Sequence, residues 1–147
     1  MQTINYNKDD VYYTPSLILL AILPHLQPNW IIYDPSAGQN HITDYLKEKG
    51  FKTIESDIET GEDFLACNGL FDKPKTFDCI VTNPPYSLKT EFLEKAIEIK
   101  KPFALLMPTF TLETKKRIKL ICDNDIQIIS FGKRFNFIKD GVQTDRV

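Results

Sequence analysis

The sequence predicts an α/β domain in which a mostly parallel sheet is flanked by helices. Three observations predict it. Short apolar runs rich in β-branched residues alternate with stretches whose apolar residues recur at helical spacing. The runs are apolar almost throughout, as strands covered on both faces are. The chemically unusual residues fall directly after these runs, at the carboxyl ends where such a sheet binds ligands.

The elements follow in order. Thr14-Pro15 reads as a helix N-cap followed by proline at the first helical position. Leu17, Ile18, Leu20, Ala21 and Ile22 then predict a buried helix that ends near Pro24. Trp30 to Asp34 is the first strand, and a helix follows from about Asn40 to Lys49, closed by Gly50. Phe51 to Asp57 is the second strand, and Thr60 to Lys75 is irregular. Phe77 to Thr82 is the third strand, stopped by Asn83-Pro84-Pro85. Phe92, Leu93, Ala96 and Ile97 predict a helix over Leu88 to Lys100. Phe103 to Met107, Leu112 to Cys122 and Ile126 to Phe131 supply a fourth strand, a helix and a fifth strand. Strands alternating with helices imply right-handed crossovers.

Length and composition set the class. The 147 residues, 42% hydrophobic and 26% charged, are expected to make one soluble domain over 1–147, with no separate segment for recognising a target. No apolar run approaches the ~20 residues of a membrane span, and Met1 to Asp10 lacks a signal-peptide pattern, so a cytoplasmic protein without a membrane partner is expected. Cys67, Cys79 and Cys122 form no C-x-x-C, and His25 and His41 stand alone, so no metal is expected. A net charge of -2 makes no global case for nucleic acid. Basic residues do cluster at Lys115, Lys116, Arg117 and Lys119 and again at Lys133, Arg134 and Lys139, as a phosphate patch or as a solvated helix face.

Four constellations carry chemistry. In Asp34-Pro35-Ser36-Ala37-Gly38-Gln39-Asn40, Gly38 permits a tight turn against a ligand, while Asp34 at the strand end can accept hydrogen bonds from a cationic amine. The single glycine and leading acid differ from the dinucleotide pattern, so a cofactor without a pyrophosphate fits better. Asp57 ends the second strand 19 residues after Gly38, near the offset at which a carboxylate reaches a ribose hydroxyl. Asp63-Phe64 offers an acceptor for an adenine amino group and a ring for the base face.

The fourth is Asn83-Pro84-Pro85-Tyr86. Two prolines force a rigid turn. An exocyclic amino group on adenine is a poor nucleophile because its lone pair is delocalised into the ring. The Asn83 side-chain oxygen and the Pro84 carbonyl could accept both of its N–H bonds, holding the nitrogen closer to tetrahedral. Tyr86 could stack on the base, an interaction worth ~1–3 kcal/mol.

In this order and spacing the four resemble the adenine-N6 DNA methyltransferases of the class I, Rossmann-like kind, over most of the chain from Tyr13-Thr14-Pro15 to about Phe137. The resemblance implies an enzyme using S-adenosylmethionine, bound by Tyr13, Thr14, Asp34, Ser36, Gly38, Asp57, Asp63, Phe64 and Asn83. It implies that Asn83, Pro84, Pro85 and Tyr86 hold the reacting base, and that Arg134, Phe135 and Phe137 join Tyr86 in binding the substrate. DNA is the implied partner, with RNA adenine and the glutamine amide of a protein as rival targets. A non-catalytic subunit, or one working with a partner that recognises the target, is the rival of another class. Two features depart from the family: Asn40 stands where a second glycine is usual, and the chain stops at Val147 before a last antiparallel strand beside the fifth, as in a truncated or minimal member.

Overall fold

In a computed structural model, the chain is described at residues 14–66, 77–132 and 135, and for the backbone alone at 137–139 and 142–144. Four strands, β1 (Ile31–Asp34), β2 (Lys52–Glu55), β3 (Cys79–Thr82) and β4 (Phe103–Leu105), form an all-parallel sheet in the order β2-β1-β3-β4. The helices are α1 (Ser16–Leu19), α2 (His41–Glu48), α3 (Lys89–Ile99) and α4 (Lys115–Asp123). An α/β, Rossmann-like arrangement is therefore present, as the alternating pattern predicts.

Alternate residues of each strand face opposite sides, which splits the core in two. On one side Ile32, Cys79 and Val81 pack with Leu19 and with Ile42 and Leu46 of α2. On the other, Tyr33 and Ile80 pack with Phe64, Phe77 and Phe92 of α3. Burial pushes the Cys79 thiol up to about 12, with Asp78 adding to the rise, so it is inert packing.

Several elements differ from expectation. Thr14 does not cap α1: Pro15 holds the cap position with extended backbone, and no side chain caps the helix. The helix is one turn long, so only one stripe of its apolar run meets the core. Ile18 and Leu19 are buried, whereas Leu17 and Leu20 are about half exposed, at 48% and 49%. The helix expected from Leu112 starts at Lys115, after a 3-10 segment over Thr109–Glu113, because Thr114 accepts a hydrogen bond from the Arg117 amide and caps it there.

The fifth strand is absent. Residues 126–131 have no strand structure, and Ile128 and Ile129 are exposed. β-branched composition makes a strand only where packing and a ladder support it. Two further strands, β5 (Phe137–Lys139) and β6 (Val142–Thr144), pair antiparallel in a separate two-stranded sheet, and among the described residues no antiparallel strand joins the four-stranded one.

Candidate active site

Parallel pairing sets the carboxyl ends of β1, β2 and β3 side by side, so the loops leaving them meet. The β1 loop is shaped by two left-handed residues, Gly38 at φ 51° and Asn40 at φ 64°. Asparagine tolerates this region better than most side chains, so the turn survives without a second glycine. Nothing lies within 4 Å of where a Gly38 side chain would project, leaving the backbone open there. The Ala37 amide donates to the Ser56 carbonyl at 3.1 Å, pinning this loop to the chain beyond β2.

Asp57 reinforces the same junction. Its carboxylate accepts from the Gly38 amide and from the Glu59 amide, each at 2.9 Å, so it both braces the glycine turn and caps the short helix after it. A carboxylate has room for further donors beyond these two. Asp63, half-buried, accepts from the Leu65 amide at 2.9 Å. Phe64 is 2% exposed, its ring set against Tyr33 and Phe92, so it backs Asp63 from within the core instead of offering an open face.

Asp34 is the most perturbed group of this cluster. It is fully buried at the end of β1. One carboxyl oxygen, Oδ1, accepts from the Thr82 hydroxyl at 2.6 Å and the Ser36 amide at 3.1 Å, whereas Oδ2 is buried with no hydrogen-bond partner. Burial raises the carboxyl to about 7; the Thr82 and Ser36 bonds pull it down, and the charges of Asp57 and Glu55 push it up.

The same hydroxyls reach the β3 loop. Ser36 Oγ lies 2.6 Å from Thr82 Oγ1 and donates to the Asn83 carbonyl at 3.2 Å. Asn83 and Tyr86 are half-buried and Pro84 is buried. Pro85 holds extended backbone before a 3-10 turn over Tyr86–Leu88, whose end is drawn in by Lys89 Nζ donating to the Tyr86 carbonyl at 2.8 Å. Asp34, Ser36 and Asn83 thus come together directly. Thr82, which joins them, was missed; a hydroxyl residue at the last strand position before Asn83 is the signal that could have found it.

Other residues lie apart or out of view. Thr14 is buried just before α1. Phe135 packs edge-on against Phe131 with ring centroids 5.0 Å apart, and both line an apolar recess with Leu17 and Ala21. Tyr13 and Arg134 lie outside the described residues, and Phe137 is described only as the start of β5. The basic cluster on α4 is largely engaged within the chain: Arg117 is buried, Lys116 pairs with Glu94 at 2.7 Å and Lys119 with Asp123 at 2.6 Å.

No family model matches the chain, and no solved structure is significantly similar to it. The chain is similar to the type II methyltransferase M.EcoRI of Escherichia coli, with 33% identity over 88 residues. The match takes in 56% of this chain and 27% of that protein, so the chain corresponds to about a quarter of the relative's length. Sequence similarity to a methyltransferase thus accompanies a parallel α/β sheet with an Asn-Pro-Pro-Tyr turn at the end of β3.

Proposed function

We propose that the chain transfers a methyl group from S-adenosylmethionine to the exocyclic N6 of adenine in DNA. One observation carries the reading: Asn83-Pro84-Pro85-Tyr86 leaves the end of β3 beside the glycine turn leaving β1, with Ser36 bridging the two. The similarity to a methyltransferase supports the reaction class, and the resemblance of the four motifs supports adenine and DNA.

The residues fit such a cofactor. Asp34 presents a buried oxygen that lacks a partner, Gly38 leaves its backbone approachable, and Asp57 retains acceptor capacity beside it. S-adenosylmethionine supplies, when bound, a methyl already activated by the sulfonium charge. In this reading Asp34, Gly38, Asp57 and Asp63 hold the cofactor, with Phe64 as the packing behind them. The Asn83 side-chain oxygen and the Pro84 carbonyl accept the two N–H bonds of the amino group. Tyr86 stacks on the base. The prolines fix the acceptors before the substrate arrives, and such positioning can supply ~7–11 kcal/mol of the barrier. The proton lost by the methylated nitrogen passes to water, so no strong base is required.

Duplex DNA requires the adenine to leave the stack, at a cost that single-stranded or mismatched sites reduce. The test is methyl transfer from labelled S-adenosylmethionine to DNA, RNA and protein in parallel, followed by nucleoside analysis. N6-methyladenine from DNA is expected, with Asn83→Ala lowering the rate by at least ~100-fold, as loss of a transition-state contact does. Cofactor binding without transfer to any of the three would refute the activity for this chain.

A further inference from the structure

The hydroxyl chain between Asp34 and Asn83 contains a proton-counting problem. Three contacts run in series, two short and one long: Asp34 Oδ1 to Thr82 Oγ1 at 2.6 Å, Thr82 Oγ1 to Ser36 Oγ at 2.6 Å, and Ser36 Oγ to the Asn83 carbonyl at 3.2 Å. Each needs one proton, and Thr82 and Ser36 bring two between them. With Asp34 ionised, Thr82 must donate to the carboxylate, and Ser36 must serve the 2.6 Å contact to Thr82, because two oxygens that close repel without a proton between them. The 3.2 Å contact to Asn83 is then starved. With Asp34 protonated on Oδ1, the third proton is present. The chain then runs Asp34 to Thr82 to Ser36 to the Asn83 carbonyl, and every contact is satisfied. A proton on Oδ2 would find no acceptor, since that oxygen is buried without a partner.

We propose that Asp34, Thr82 and Ser36 form a reversible hydrogen-bond relay in which the charge of Asp34 sets whether Ser36 grips the Asn83–Pro84 peptide, making Thr82 a positioning residue for that turn. The relay needs only proton movement over existing contacts: Asp34 takes up or releases one proton to solvent, and both hydroxyls rotate. Asp57 and Glu55 face Asp34 from the strand end beside it, and Lys47 of α2 is spent on Glu55 at 3.2 Å and on Asp44 at 3.9 Å. Among the described residues no ion pair gives Asp34 a cation, so the carboxyl, raised by burial to about 7, populates both states near neutrality.

A cationic ligand beside Asp34 favours the carboxylate, turns the Thr82 hydroxyl toward Asp34 and the Ser36 hydroxyl toward Thr82, and so withdraws Ser36 from the peptide. Filling the cofactor loop is thereby communicated to the base-holding turn. This last step rests on the proposed cofactor; the relay itself does not.

The experiment follows the ligand-free chain, uniformly labelled with 13C and 15N, between pH 5 and 9. The Asp34 carboxyl is read directly, and the Asn83 carbonyl through a 13C-detected correlation to the Pro84 nitrogen. Both should titrate with one midpoint. In Thr82→Val the Asp34 midpoint should rise, since the Thr82 bond lowers it, and the Asn83 carbonyl should stop following; Thr82→Ser should restore both. Ser36→Ala cuts the relay at its other end and should flatten the Asn83 response while Asp34 still titrates, which keeps the test open if Thr82→Val does not fold. A flat Asn83 carbonyl in the parent chain, an unchanged response in Thr82→Val, or no titration of Asp34 in this range would overturn the relay. Adding S-adenosylmethionine should lower the Asp34 midpoint; absence of binding would refute the cofactor reading and leave the ligand-free result standing.

Discussion

Asp34 is a carboxyl placed where its charge is expensive, and the sign of that cost gives a pH signature. Its folded value of about 7 lies above the unfolded carboxylate value near ~3.9. Below both values the group is neutral in both states and costs nothing. Between them the folded chain holds a proton that the unfolded chain has released, so stability falls as pH rises toward 7. The loss is on the order of 4 kcal/mol once the pH is above 7. Asp34→Asn preserves the acceptor for Thr82 and Ser36 and removes the charge. It should be the more stable protein at pH 8, and the advantage should vanish near pH 3, below both values, as measured by urea unfolding at the two pH values. Asp34 was legible as a strand-end acid from its place before Pro35 and Gly38. Its burial was not, because it depends on Thr82, 48 residues away. Asp57 was legible by its offset from Gly38, but the sequence did not show that both its oxygens already serve backbone amides.

At the scale of elements, Arg117 is the residue that the sequence disguised. It reads as one of four basic residues on a helix face, yet it is buried. Its Nε donates to the Thr111 carbonyl at 2.5 Å, one terminal nitrogen to the Phe110 carbonyl at 3.1 Å, and the other to Thr90 Oγ1 at 3.3 Å. It thus ties α4 to the preceding 3-10 segment and to α3. Arg117→Met keeps much of the volume and leaves two carbonyls without their donor, at about 2–4 kcal/mol in chemical denaturation; Arg117→Lys cannot span the same three acceptors and should recover less than half. The four strands of the parallel sheet and α2 and α3 were legible because their apolar periodicity is strong. The strand expected at Ile126–Phe131 was misread because its composition suits a ladder that no neighbour provides. The β5–β6 pairing was overlooked because each strand is only three residues long, too short for a periodic pattern to show.

For the whole molecule, charge sets the terms of any encounter with DNA. The net charge is -2, Arg117 is buried, and Lys116 and Lys119 already face carboxylates in exposed ion pairs. Binding through two or three phosphates should weaken by roughly 10- to 50-fold between 50 and 200 mM salt, against ~10³–10⁵ for a protein contacting six to ten. Fluorescence anisotropy of a labelled oligonucleotide over a salt series measures this slope, and a steep one would expose a basic surface elsewhere in the chain. The sheet order has a consequence of a different kind, in time. β1 lies between β2 and β3, and its Ile32 pairs with Cys79, so the centre of the sheet cannot close until a loop of more than forty residues has closed. Loop closure on that scale must precede the contacts that reward it, and parallel pairing is slow for this reason. In a newly made chain that joins β1 to β2 first, the edge of β1 that β3 will occupy stands open until the longer loop closes. In that interval a second copy can compete for the edge, so refolding yield should depend on how dilute the chain is when it folds.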